Sequence, residues 1–166
     1  MRSMTPVALD DFDEQPFRFT ATAKLDADPL AVFTELGDPS LWFPLMRRSV
    51  WKTGATSGIG AEREVVMTGL GTFREHMLAW EPGARVTFSM TRTTSPLVAQ
   101  MAEDWRLARE DIYTRLEWIV VARPTLLGRA ITPALRATLR LLFMRAAGNI
   151  EKRAGSFKRE RGKEVS

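Results

Sequence analysis

At 166 residues the chain has the length of one ordinary domain, long enough to bury a core without covalent staples. It holds no cysteine and a single histidine, His76, which excludes disulfides, thiolate metal sites, cysteine nucleophiles and any zinc motif needing two imidazoles, so no metal centre is expected. The net charge of +4 is uneven: residues 123–166 carry eleven Lys/Arg against three Glu (+8), whereas residues 1–122 carry thirteen against seventeen acids (−4).

Residues 1–15 mix Pro, Asp and Glu with few apolar side chains and predict an arm that is flexible or loosely laid on the surface. No leader-like apolar core opens the chain and no stretch reaches the roughly 18 apolar residues of a membrane span, so a cytoplasmic protein is expected. From Phe17 to Leu25, Phe17, Phe19, Ala21, Ala23 and Leu25 alternate with Arg18, Thr20, Thr22 and Lys24, the period of a half-buried strand. Asp28-Pro29 then supplies N-cap and N1 for a short helix carrying Leu30, Val32, Phe33 and Leu36, which Gly37 ends. Asp38-Pro39 starts a second short helical turn with Leu41, Trp42 and Phe43, broken by Pro44.

Beyond Arg47 the period stays at two, punctuated by turn residues at Gly54 to Gly60, Gly69-Leu70-Gly71, Pro82-Gly83, Ser95-Pro96 and Glu110-Asp111. This predicts six further strands, roughly 47–52, 61–68, 71–80, 85–93, 98–109 and 112–122, forming a curved antiparallel meander. Pro124 ends the last strand, and Thr132-Pro133 predicts the start of a helix running to about Lys158, ahead of a basic flexible tail over 159–166. Its apolar stripe is Leu135, Leu139, Leu142, Phe143, Ala146, Ala147 and Ile150, widened by Leu141 and Met144 as a helix gripped by a concave sheet requires. The fold class is therefore α+β: a seven-stranded antiparallel sheet wrapped around a long C-terminal helix, with two short helices after the first strand.

Three local features carry a resemblance to a known superfamily. Asp28-Pro29-Leu30-Ala31-Val32-Phe33 with Asp38-Pro39 and Trp42-Phe43-Pro44 resembles its first helical pair. Trp80-Glu81-Pro82-Gly83-Ala84-Arg85 resembles its W-E-P-P-x-R hairpin, with Gly83 where a second proline is frequent, and the amphipathic C-terminal helix is the third. The order of elements over 17 to about 155 is similar to the START-like (Bet v 1-like, SRPBCC) superfamily, in its polyketide cyclase/dehydrase and lipid-transport branch. The resemblance implies a helix-grip domain over 16–158 with an internal cavity for a small hydrophobic molecule such as a lipid, polyketide or sterol. It does not imply a reaction, since some members carry ligands and others are cyclases or dehydrases.

The aromatic and thioether residues Trp42, Phe43, Phe88, Met90, Met101, Trp105 and Trp118, with Trp80, Leu139 and Phe143, are the expected lining of such a cavity. On the strand 71–80 one face presents Thr72, Arg74, His76, Leu78 and Trp80, the other Phe73, Glu75, Met77, Ala79 and Glu81, and neither is cleanly apolar. If the first points inward, Arg74 and His76 give a cation and a near-neutral acid–base group beside the ligand, and both join the lining; if the second does, they are solvent decoration. Glu103, in phase with Met101, Trp105 and Leu107, is a candidate inward carboxyl: a general acid or base, or one half of an internal ion pair with Arg74 or Arg63. Gly58-Ile59-Gly60 and Gly69-Leu70-Gly71 sit at hairpin turns and lack phosphate-loop spacing, so no cofactor is expected.

Three functions remain open on these residues: a non-catalytic carrier of a hydrophobic molecule, a cyclase or dehydrase using Arg74, His76 or Glu103, and an interaction module whose basic helix makes weak contact with an anionic membrane or RNA. No specific nucleic-acid motif is present, and the residues do not choose between monomer and homodimer.

Overall fold

The computed structural model describes residues 1–52 and 57–164, the stretch 156–164 by its backbone alone. Its strands are β1 (Arg2–Ser3), β2 (Phe17–Leu25), β3 (Met46–Trp51), β4 (Glu62–Met67), β5 (Gly71–Glu81), β6 (Arg85–Thr93), β7 (Val98–Glu110) and β8 (Tyr113–Pro124). The helices are α1 (Pro29–Leu36) and α2 (Leu126–Glu164), with 3-10 turns at Leu9–Asp11 and Pro39–Leu41. All seven expected strands are present, their ends displaced by no more than two residues. Residues 54–56 of the expected Gly54 to Gly60 turn, with residue 53 before it, and 165–166 of the expected tail, lie outside the described residues.

The sheet is antiparallel throughout, in the order β2-β8-β7-β6-β5-β4-β3, with β1 paired to β6 off this path. Local chemistry explains its joints. Asp111, at φ 53°, occupies the left-handed region in the tight turn between Glu110 and Tyr113, a conformation Asp tolerates better than most side chains. Asp28 caps α1 by accepting from the Leu30 N–H at 2.9 Å, and Asp38 caps the next turn by accepting from the Ser40 N–H at 3.1 Å. Two register irregularities between β5 and β6, at Arg74/Glu75 and Met77/Ala79, bend the sheet. The second shifts the phase, so that Phe73, Glu75 and Met77 are buried inside while Trp80, three residues beyond Met77, also joins the main core.

Residues 1–15 run across the sheet. β6 pairs with β7 only from Arg85 to Ser89, and the chain start fills the gap beyond: Arg2 and Ser3 pair with Thr93 and Arg92, the Met4 N–H donates to the Thr91 carbonyl at 2.8 Å, and the Val7 N–H to Ser89 Oγ at 2.7 Å. Ladder groups freed by diverging strands need new partners, and the chain start supplies them. Val7 and Phe12 then cover Ala102, Ile119, Val121 and Leu78, a small apolar cluster on the outer face.

The long helix begins earlier and ends later than its sequence signals suggest. Thr125, not Thr132, is its cap: Thr125 Oγ1 accepts from the Gly128 N–H at 3.2 Å and its carbonyl from the Arg129 N–H at 2.9 Å. Pro133 therefore lies inside the helix, where it leaves the Arg129 carbonyl without its usual donor, and the backbone stays helical to Glu164. The second half of α2 is fastened to the short helical segments: Asn149 Nδ2 donates to the Trp42 carbonyl at 2.9 Å and Arg153 Nε to Glu35 Oε2 at 2.5 Å. Leu142, Phe143, Ala146, Ala147, Ile150 and Ala154 are buried in the main core. Leu141 and Met144, expected to widen this stripe, point to solvent instead, because the sheet covers only one side of the helix.

Candidate functional site

The interior between sheet and α2 holds two adjoining chambers. The larger, about 120 Å³, is walled by Phe17, Phe73, Met101, Trp118, Val120 and Leu142 and by the first turns of α2 at Gly128, Ile131, Leu135 and Leu139. The smaller, about 30 Å³, lies under the Pro39–Leu41 turn and is lined by Trp42, Phe88, Trp105, Arg63 and Glu75 among others. Phe43, Met67, Met90 and Glu103 border both. The larger chamber lies below the several hundred Å³ of a drug-sized site. Its walls include three methionines, Met67, Met90 and Met101, whose unbranched side chains re-pack readily.

The position of α2 against this chamber depends on one glycine. A Cβ at Gly128 would lie 2.0 Å from the Leu97 carbonyl oxygen, so only glycine lets the first turn of the helix approach the 94–98 connection this closely. The Thr125 hydroxyl fastens the same corner by donating to the Pro96 carbonyl at 2.7 Å.

Among the described residues, Glu103 is the one titratable residue lining the larger chamber. It shares an inward face with Trp105, two residues on along β7, and Trp118 stands opposite Trp105 on β8. Both indoles donate to the same carboxyl oxygen, Oε2, Trp118 Nε1 at 2.8 Å and Trp105 Nε1 at 3.2 Å. The rings stack on each other with centroids 5.0 Å apart, and Phe143 of α2 stacks on Trp118 at 5.9 Å. Burial is the main influence on this carboxyl and raises its pKa to about 7, helped by the nearby Glu75 charge and opposed by the two indole donors. Near neutral pH the group is thus divided between a neutral acid that can donate and a carboxylate that can accept.

Behind it lies a buried ion pair. Arg63, on the inward phase of β4 with Val65, donates through Nε to Glu75 Oε2 at 2.6 Å, and both side chains are 2 % exposed. Arg63 Nη1 also reaches the Leu36 and Gly37 carbonyls at 3.1 and 3.2 Å, and its guanidinium lies over the rings of Trp51 and Phe88 at 5.2 and 5.4 Å. Burial raises the Glu75 pKa above the ordinary carboxylate range against the pull of Arg63.

The expected site residues divide accordingly. Trp42, Phe43, Phe88, Met90, Met101, Trp105, Trp118 and Leu139 border one chamber or both. Phe143 is buried behind Trp118. Trp80 packs against Phe33 of α1 at 5.1 Å and Trp51 at 5.5 Å, away from both chambers, because the β5 irregularity turns it toward α1. Arg74 and His76 fall on the opposite face of β5 from Phe73, Glu75 and Met77. Arg74 Nη2 binds Glu64 Oε2 at 3.1 Å in an outer cluster with Arg48 and Lys52, and His76 is paired across the strands with Glu62. The outward phase of β5 thus removes Arg74 and His76 from the interior, and Arg63 pairs with Glu75 rather than with Glu103. The Arg63–Glu75 pair was legible only as phase: Arg63 alternates with Ala61 and Val65, Glu75 with Phe73 and Met77.

Among the described residues no group of three or more His, Asp or Glu side chains comes together to hold a metal ion, and no helix is long and apolar enough to cross a membrane. No curated protein matches the chain. Solved structures of the same fold include the protein CV1439 from Chromobacterium violaceum (18% identity, TM-score 0.61, covering 84% of this chain and 98% of that one). Another is the major latex-like protein 151 from Panax ginseng (10% identity, TM-score 0.68, 83% and 97%), and a third is Ara h 8.0201 (12% identity, TM-score 0.61, 81% and 97%). At these identities they speak for the helix-grip architecture alone. The family described as polyketide cyclase / dehydrase and lipid transport matches residues 16–155, and with this sheet, helix and interior the chain belongs to that family within the START-like (Bet v 1-like) superfamily.

Proposed function

We propose that the domain takes up one small, largely apolar molecule bearing a single polar group, its body in the larger chamber and its polar end at Glu103. One observation carries this reading: an apolar interior space whose only titratable lining residue, among the described residues, is a carboxyl held in place by two indoles. Both indoles bind Oε2, so Oε1 is the oxygen that a guest's polar group would meet. A hydrogen bond from Glu103 to a ligand carbonyl or hydroxyl would fix the polar end of the guest while its apolar body fills the chamber.

Native mass spectrometry of the protein as purified, followed by solvent extraction, tests the proposal. An apolar species of discrete mass is expected, as is a change in tryptophan emission when fatty acids, sterols or aromatic polyketides are titrated in. Absence of any bound species together with unchanged emission across that panel overturns it.

The Glu103 carboxyl, poised near pH 7, also favours a second reading: general acid–base chemistry on a bound carbonyl compound, of the cyclase or dehydrase kind. Glu103→Gln separates the two, because a carrier keeps binding and a catalyst loses turnover while still binding. Arg74 and His76 have no part in either reading.

A further inference from the structure

The first five turns of α2 have two apolar faces. The inner one, Gly128, Ile131, Leu135, Leu139 and Leu142, closes the larger chamber. The outer one consists of Leu126, Leu127, Leu141 and Met144, between 53% and 84% exposed, with Ala130, Ala134 and Ala137 filling the turns between them. A run of helix apolar on both sides cannot satisfy its outer face with the sheet, which lies on the inner side only.

Charge around this face is of one sign. From residue 118 to 150 the chain holds Arg123, Arg129, Arg136, Arg140 and Arg145 and no Asp or Glu. All five are exposed, and none forms an ion pair with a described residue; Arg136 lies over the Phe17 ring at 5.1 Å. Several arginines elsewhere on the surface are matched, Arg85 and Arg106 with Asp104, Arg115 with Glu110, and Arg109 with Asp28.

We infer that the outer face of α2 over 126–145 is a docking surface for an anionic lipid bilayer, lying in the headgroup region with Leu126, Leu127, Leu141 and Met144 inserted and the arginines against the phosphates. Charge complementarity selects this occupant. A second copy of the chain would bring the same arginines face to face across a two-fold interface, where like charges repel. An apolar helical stripe edged by arginine is the arrangement that partitions into an anionic interface. Docking places the lipid against the helix that closes the chamber, so an apolar guest can pass between bilayer and interior without crossing water.

The test uses the full chain and flotation with phosphatidylcholine vesicles, with and without phosphatidylglycerol. Binding is expected only where phosphatidylglycerol is present, weakening about tenfold or more as ionic strength rises from low to physiological and beyond. Leu127→Asp with Leu141→Asp removes the apolar anchor at two exposed positions that line neither chamber, and abolishes binding; Arg140→Gln with Arg145→Gln keeps the anchor and weakens binding while flattening its salt dependence. Circular dichroism and tryptophan emission like those of the parent establish that the variants are folded. The inference is overturned by equal binding to both vesicles, by no binding to either, by capture on RNA but not on phosphatidylglycerol, or by a dimer in sedimentation that the Leu127/Leu141 variant dissociates. None of these outcomes depends on whether the chamber holds a ligand.

Discussion

Replacing Glu103 by glutamine changes stability in a pH-dependent way that the buried carboxyl fixes in sign and size. The group's pKa is raised from an ordinary 4.5 to about 7 in the folded protein, chiefly by burial. Between those two values the unfolded chain has released a proton that the native state still holds, so native stability falls as pH rises from about 4.5 through about 7 and is level above. A difference of 2.5 pH units corresponds to roughly 3 kcal/mol, at about 1.4 kcal/mol per unit. Glutamine keeps the shape and offers a carbonyl oxygen to the Trp105 and Trp118 N–H groups, but has no charge to bury. Glu103→Gln is therefore about as stable as the parent at pH 4.5 and roughly 3 kcal/mol more stable at pH 8. Urea unfolding of both proteins at half-unit intervals of pH, followed by tryptophan fluorescence, measures the difference directly. A difference that does not vary with pH, or one that grows toward acid, refutes the burial argument.

Other outcomes follow from particular contacts. Arg63→Met leaves Glu75 buried without its cation and costs about 3–5 kcal/mol in denaturant unfolding, while Arg63→Met combined with Glu75→Leu recovers most of that loss. Gly128→Ala forces a methyl group toward the Leu97 carbonyl and costs about 1–3 kcal/mol, seen as a lowered Tm. Leu139→Trp fills the larger chamber and weakens the binding of any apolar ligand by about tenfold or more in a fluorescence titration, with the fold retained because the added volume enters a void. Asp104 responds oppositely to Glu103: Arg85, Thr87 and Arg106 hold its carboxyl below the ordinary range despite burial, so Asp104→Asn loses stability at neutral pH, and the deficit shrinks as acid protonates the parent.

Backbone periodicity and turn chemistry, both local properties, were enough to set the seven strands, both Asp-Pro helix starts and the α+β class, since alternation at Phe17–Leu25 or a cap at Asp28 depends on neighbours within a few residues. The inward phase of Glu103 with Met101 and Trp105 was legible in the same way. Which face of β5 turns inward was not, because Arg74 and His76 on one side and Glu75 on the other are equally polar; the buried Arg63 partner decides it from a different strand. The start of α2 was misplaced by seven residues because Thr132-Pro133 is as good a local cap as Thr125, and what favours Thr125 is the Pro96 and Leu97 carbonyls brought from another loop. The arm over 1–15 likewise finds its place only where β6 and β7 part and leave a ladder to complete. Sequence alone thus determined the elements and their order. Tertiary structure decided which polar groups are buried together, how α2 meets the sheet, and that Leu141 and Met144 face outward, because each of those depends on groups distant in the chain competing for one limited interior.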